Sequence, residues 1–209
     1  MRVLIVDDHA VVRDGVKRIV TEQLGDCEFG DARSSRDALD LARESKWDVI
    51  VLDITLGENS GIDTLKELKQ ISPRTPVLIL TMHSEEQYAR RAFKAGAAGY
   101  ITKDVSRSEL SSALKKVIDG GRYVSPALVE RLVFDIERGT EGPPHEALSD
   151  REFEVLRLIG SGKTVSEIAN LLSLSDKTIS TYRARILEKM GMKTNAELTH
   201  YAIKNKLVE

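Results

Sequence analysis

The sequence predicts two domains: a doubly wound α/β domain built on a five-stranded parallel sheet, then a small all-α domain of four helices. Three observations carry this. Short apolar, β-branched runs alternate with segments of helical periodicity through residues 1–120, the texture of a parallel sheet covered by helices. From Leu148 onward only helical periodicity remains. Between the two, residues 139–145 (GTEGPPH) are rich in glycine, proline and charge, as connectors are. The expected division is 1–120, a linker at 121–147, and 148–209.

The strands fall at Val3–Val6, Cys27–Phe29, Val49–Leu52, Val77–Leu80 and Gly99–Ile101. The first, third and fourth are almost wholly apolar, as expected where helices cover both faces of a sheet. Helical periodicity spans Ala10–Leu24, with Val12, Val16, Ile19 and Val20 on one face, then Ser35–Ser45, Ile62–Ile71, Glu85–Ala95 and Ser106–Ile118. A further amphipathic helix is expected at 126–138, with Pro126 in its first turn and Leu128, Leu132 and Ile136 in register.

The last domain carries three capping-box patterns, Ser149 with Glu152, Thr164 with Glu167 and Thr194 with Glu197. Ser175 caps a further helix that has Asp176 in its first turn. Helices are therefore expected at about 148–160, 164–172, 175–190 and 194–205. The break at Ser173–Ser175 is the tight corner of a helix-turn-helix.

Composition excludes several classes. Hydrophobic residues at 41% and charged residues at 31% describe a globular chain, and no apolar run approaches the roughly 20 residues that cross a membrane. The opening MRVLIVDDH has too short an apolar core for a signal peptide, and the single Cys27 cannot form an internal disulfide; a reducing cytoplasm fits. Charge is nearly balanced. Residues 1–120 hold 18 Lys+Arg against 20 Asp+Glu, residues 121–148 hold 3 against 5, and residues 149–209 hold 10 against 8, a mild basic excess confined to the last domain.

In an open parallel sheet, ligands gather at the carboxyl ends of the strands. There the first strand ends in Asp7-Asp8, the third in Asp53 and the fourth in Thr81, and Lys103 follows the fifth. An aspartate at such a junction is often only a helix cap. The joint occurrence of three carboxylates, a hydroxyl and an ammonium says more. Clustered carboxylates without Cys or paired His ligands suit a hard cation such as Mg²⁺. One carboxylate could then form an acyl phosphate, with Lys103 and Thr81 meeting phosphoryl oxygens. His9 and His83 lie beside these residues and are expected as solvent-facing loop histidines able to modulate the site.

Asp7-Asp8, VLD ending at Asp53, LT ending at Thr81 and GYITK ending at Lys103 resemble the receiver domain of response regulators, flavodoxin-like in fold, over residues 1 to 120. The resemblance implies that Asp53 accepts phosphate from a partner sensor histidine kinase. It implies that Asp8, Asp53 and the backbone carbonyl of Thr55 bind Mg²⁺, with Asp7 more peripheral, and that Thr81 and Tyr100 form a switch pair. Two positions depart from the common pattern: Leu56-Gly57 stand where Met-Pro is usual, and Asp104 stands where Pro often follows the lysine. A phosphohydrolase would need a second carboxylate two residues after Asp53, and that position is Thr55. No enzyme activity is expected beyond the receiver's own phosphoryl transfer and slow dephosphorylation.

The segment Leu148–Met192 resembles the LuxR-type helix-turn-helix of the NarL/FixJ family in LSDRE, EVL, EIA, LS-x-KT and KMG. Periodicity puts Ile179, Tyr182, Ile186 and Met190 on a core stripe of the third helix. Lys177, Thr178, Ser180, Thr181, Ala184, Arg185 and Lys189 are left as the candidate DNA-contacting set, whereas Arg183 falls at the edge of the stripe and packs or reaches a phosphate. Ser180 and Tyr182 stand where the family often has Lys and His. Leu198, Ala202 and Ile203 on the last helix are expected partly exposed as a dimer contact, so that a homodimer matches a two-fold operator on double-stranded DNA. The chain thus resembles a cytoplasmic two-component transcription regulator.

Overall fold

The computed structural model describes residues 1–56, 59–126, 128–130 and 143–208. The chain divides into two compact units, Met1–Glu130 and Arg131–Glu209. In the first, the elements run β1 (Arg2–Val6), α1 (Ala10–Leu24), β2 (Glu28–Ala32), α2 (Ser35–Glu44), β3 (Val49–Leu52), β4 (Thr55–Leu56), β5 (Asn59–Ser60), α3 (Gly61–Ile71), β6 (Val77–Thr81), α4 (Glu85–Lys94), β7 (Gly99–Thr102) and α5 (Arg107–Ile118).

Five strands pair in the order β2-β1-β3-β6-β7, every pair parallel. The crossover lengths demand it, since each strand is separated from the next by a helix. Val3, Ile5, Val49, Val51, Leu78 and Leu80 point to one face and pack with Val16 and Val20 of α1 and Leu110, Leu114 and Val117 of α5. The alternate residues Leu4, Ile50, Leu52 and Ile79 are equally buried and belong to the other face. Each such side chain contributes about 1.5–3 kcal/mol by leaving water.

Strand β2 runs three residues beyond the expected Cys27–Phe29, through Gly30, Asp31 and Ala32. Gly30 is the reason the weak strand formers fit. A Cβ there would lie 2.4 Å from Cη2 of Trp47, so the bare backbone lets the buried indole pack against the strand. The antiparallel pair β4–β5, on either side of residues 57–58, was not foreseen. The first unit also continues past Gly120: Tyr123 bridges to Gly99 at the edge of β7, and its amide bonds to the Ala98 carbonyl at 2.9 Å. Of the expected helix 126–138, Pro126 and residues 128–130 are helical, while 127 and 131–138 lie outside the described residues.

The second unit begins, among the described residues, with a 3₁₀ turn at Pro144–Ala147, followed by α6 (Asp150–Gly160), α7 (Val165–Leu171), α8 (Asp176–Met190) and α9 (Asn195–Lys204). His145, expected in the connector, belongs to this unit: its Nδ1 lies 2.8 Å from the Tyr201 hydroxyl and its ring meets Phe153. The capping boxes at Ser149 and Thr164 are complete, and Ser175 caps α8. The third is only half formed, because Glu197 turns to the Lys193 amide and the Thr194 hydroxyl rather than the Thr194 amide. Phe153, Leu156, Ile168, Ile179 and Ile186 form the core. Leu198 and Ala202, expected partly exposed, are fully buried, since this face of α9 packs on α6. Only Ile203 of that trio is exposed, at 56%. No helix among the described residues is long and apolar enough to cross a membrane.

Candidate functional site

The carboxyl edge of the sheet brings the predicted acidic residues together. The Asp53 amide bonds to the Val6 carbonyl at 2.9 Å and the Asp7 amide to the Ala32 carbonyl at 3.1 Å, so each carboxylate sits one step beyond its strand, still held in the ladder. The Lys103 amide bonds to the Thr81 carbonyl at 2.8 Å, which aims its side chain back over the same edge.

There the Lys103 ammonium lies 2.6 Å from Oδ2 of Asp53 and 2.6 Å from Oδ2 of Asp7. Both carboxylates are buried and the lysine nearly so. Burial alone would lower the Lys103 pKa, but the hydrogen bonds and charges of Asp53 and Asp7 outweigh it and hold the pKa above the ordinary lysine value. The ammonium is therefore a fixed positive charge between two acids. The other Asp53 oxygen accepts from the Thr55 amide at 3.0 Å, which sets the carboxylate plane.

Asp8 is exposed, and its Oδ1 lies 2.6 Å from Nδ1 of His9, a ring that also approaches Asp7 at 3.3 Å. Asp7, Asp8 and His9 each offer a ligand atom, all within 4.8 Å of one another. With Asp53 across the lysine, the donors are mostly carboxylate oxygens, a set that fits a hard divalent cation. Gly61, at the start of α3, abuts this edge: a Cβ on it would stand 2.3 Å from the Ile54 Cα.

Thr81 is fully buried, and its hydroxyl accepts a long bond from the His83 amide at 3.5 Å. Tyr100 is also fully buried and donates its hydroxyl to the carbonyls of His83 at 2.9 Å and Ser84 at 3.4 Å. His83 is more engaged than a loop histidine, its Nε2 lying 3.1 Å from the Thr55 hydroxyl and its ring packing on Tyr88. The peptide bonds of the described residues are all trans, including Lys103–Asp104.

Sequence reasoning missed Arg13. It is buried and donates from Nη1 to the Asp7 carbonyl at 2.8 Å. A signal was there: Arg13, Val16 and Val20 follow helical spacing, so a charge stands in an apolar stripe.

On α8 the expected face is present. Lys177, Ser180, Thr181, Ala184 and Arg185 are exposed, and Thr178 is half-buried where its amide bonds to the Ser175 cap. Thr181 turns its hydroxyl to the Lys177 carbonyl. Arg183 is tied to Asn195 through Nε at 2.5 Å, in keeping with a packing role. Lys189 is also exposed, and its ammonium reaches back to the buried Glu152 carboxylate at 2.6 Å.

A family model described as the response regulator receiver domain matches residues 3–115, and one described as bacterial regulatory proteins, luxR family, matches residues 146–202. The response regulator GacA of Pseudomonas protegens is 35% identical over all of this chain and 98% of its own length. The response regulator UvrY of Escherichia coli is 32% identical over 99% of this chain and 95% of its own. Among solved structures, RcsB of Salmonella enterica serovar Typhimurium, bound to promoter P1flhDC in the presence of phosphomimetic BeF3⁻, has a TM-score of 0.66 at 27% identity, covering 96% of this chain and 97% of that one.

Proposed function

The chain belongs to the two-component response regulators that carry a LuxR-type DNA-binding domain, and on that premise we propose that it regulates transcription under the control of a phosphoryl group on Asp53. The observation that carries this is the Lys103 ammonium held 2.6 Å from both Asp53 and Asp7 at the sheet edge. An Asp53 oxygen attacks phosphorus, the P–N bond of the kinase phosphohistidine breaks and its imidazole leaves, and the transferred phosphoryl oxygens find Lys103 as counter-charge. The Thr81 hydroxyl, freed from its long contact, donates to one of those oxygens. Asp8, Asp53 and the Thr55 carbonyl would hold Mg²⁺, with Asp7 more peripheral; when bound it neutralises the carboxylates and polarises the phosphoryl group. Tyr100, whose hydroxyl grips the loop after Thr81, carries that change along β7.

At the other end, α8 enters the major groove with Lys177, Ser180, Thr181, Ala184 and Arg185 facing the bases and backbone, and Thr178 near the capped N-terminus. Structures of RcsB dimers on DNA support a two-fold mode of binding, with Ile203 as the exposed apolar residue of α9. The test is intact mass and operator binding before and after treatment with acetyl phosphate and Mg²⁺. The wild type should gain one phosphoryl group and bind more tightly, and Asp53→Asn should do neither. A wild type that gains no mass would overturn the reading.

A further inference from the structure

We propose that Arg13 is a positioning residue that presets the Asp7–Asp8 loop for a divalent cation. The inference rests on the cation-binding reading of that loop. Arg13 is only 6% exposed and sits on the stripe of α1 that faces the sheet. A buried guanidinium demands compensation, which a close carboxylate normally provides. Here the nearest carboxylate is Asp31, 3.5 Å from Nε and already bound by Lys17 at 2.5 Å. The short bond of Arg13 goes elsewhere, from Nη1 to the backbone carbonyl of Asp7 at 2.8 Å.

That carbonyl belongs to the peptide joining Asp7 to Asp8. Fixing its plane fixes the direction in which Asp8 leaves the chain. From the far side the His9 amide bonds to the Asp7 carboxylate at 2.8 Å, so the loop is clamped between α1 and its own side chain. Removing a group that orients metal ligands without touching the metal weakens binding. Removing a bystander cation from beside an acidic site would instead strengthen it. The two roles therefore predict opposite signs.

Mg²⁺ is titrated into the full chain by calorimetry, for the wild type, Arg13→Met and Arg13→Lys, each checked for cooperative melting. Arg13→Met should raise the Mg²⁺ Kd by about tenfold. Arg13→Lys keeps the charge but lacks the planar fork, so it should weaken binding less, by about threefold. If Arg13→Met does not fold, Arg13→Lys decides alone. A Kd unchanged within about twofold in the folded variants, with only the melting temperature lowered, would make Arg13 a structural staple and overturn the proposal. Tighter binding would make it a bystander charge and overturn it as well. A wild type that binds no Mg²⁺ overturns the cation reading itself, and this role with it.

Discussion

Ser125 donates a hydrogen bond from its hydroxyl to the carboxylate of Glu85, the first residue of α4. The same Ser125 oxygen accepts the Leu128 amide at 3.2 Å. Two residues earlier the Tyr123 hydroxyl donates to Glu109 of α5 at 2.9 Å. The chain leaving α5 is thus bonded to the helix that begins directly after the Tyr100 acceptors, His83 and Ser84.

Burial pushes the Glu85 carboxyl above the usual carboxylate range; the Ser125 hydroxyl pulls it down and the Glu109 charge pushes it up again. A carboxyl with a raised folded pKa contributes stability that is fully present below its unfolded pKa, near 4.5, and is lost as pH rises through the folded value. Thermal unfolding of the first unit should accordingly lose stability across that window, and Glu85→Gln should flatten this loss. Calorimetry of the full chain over a pH series measures both slopes.

Glu152 presents the opposite sign. Its burial would raise the pKa, but the Lys189 hydrogen bond and the Ser149 amide and hydroxyl outweigh it, leaving the carboxyl below its ordinary 4.5. Its stability contribution is present above 4.5 and is lost as pH falls through the lower folded value. Lys189→Met should cost the second unit about 1–3 kcal/mol in denaturant unfolding by leaving a buried carboxylate without its cation. The lower end is expected, because the lysine side chain is 41% exposed and screened.

Salt dependence should separate Arg185 from Lys189, two of the four basic residues of α8. Arg185→Ala should weaken operator binding and lower the slope of log affinity against log salt by about 1. Lys189→Ala, whose charge is already committed to Glu152, should leave that slope unchanged when measured below its melting temperature.

Gly30→Ala should destabilise the first unit by about 1–3 kcal/mol, because the new methyl collides with the Trp47 ring. Trp47 is the single tryptophan, so its emission reports the displacement directly.

The strands and helices of the first unit were legible because apolar alternation and helical periodicity depend on local order alone. So was the meeting of Asp7, Asp53, Thr81 and Lys103, since parallel crossovers bring every strand's carboxyl end to one edge. Features that depend on which helix covers which residue were not. Leu198 and Ala202 carry no mark separating a buried face of α9 from a dimer face. Lys189 reads as one more cation until Glu152, 37 residues away, claims it. Arg13 was missed although it stands as a charge in an apolar stripe, and its target is a backbone carbonyl, which no side-chain pattern reveals.

Gly61 brings no side chain to the acidic edge, yet a Cβ added there would occupy the space of the Ile54 backbone, one residue after Asp53. Any side chain at position 61 must therefore displace the backbone that follows Asp53. In a saturation library scored for signalling, position 61 should be as barren as the acidic positions themselves. Tolerance to mutation would then mark the pocket's scaffold as sharply as its chemistry.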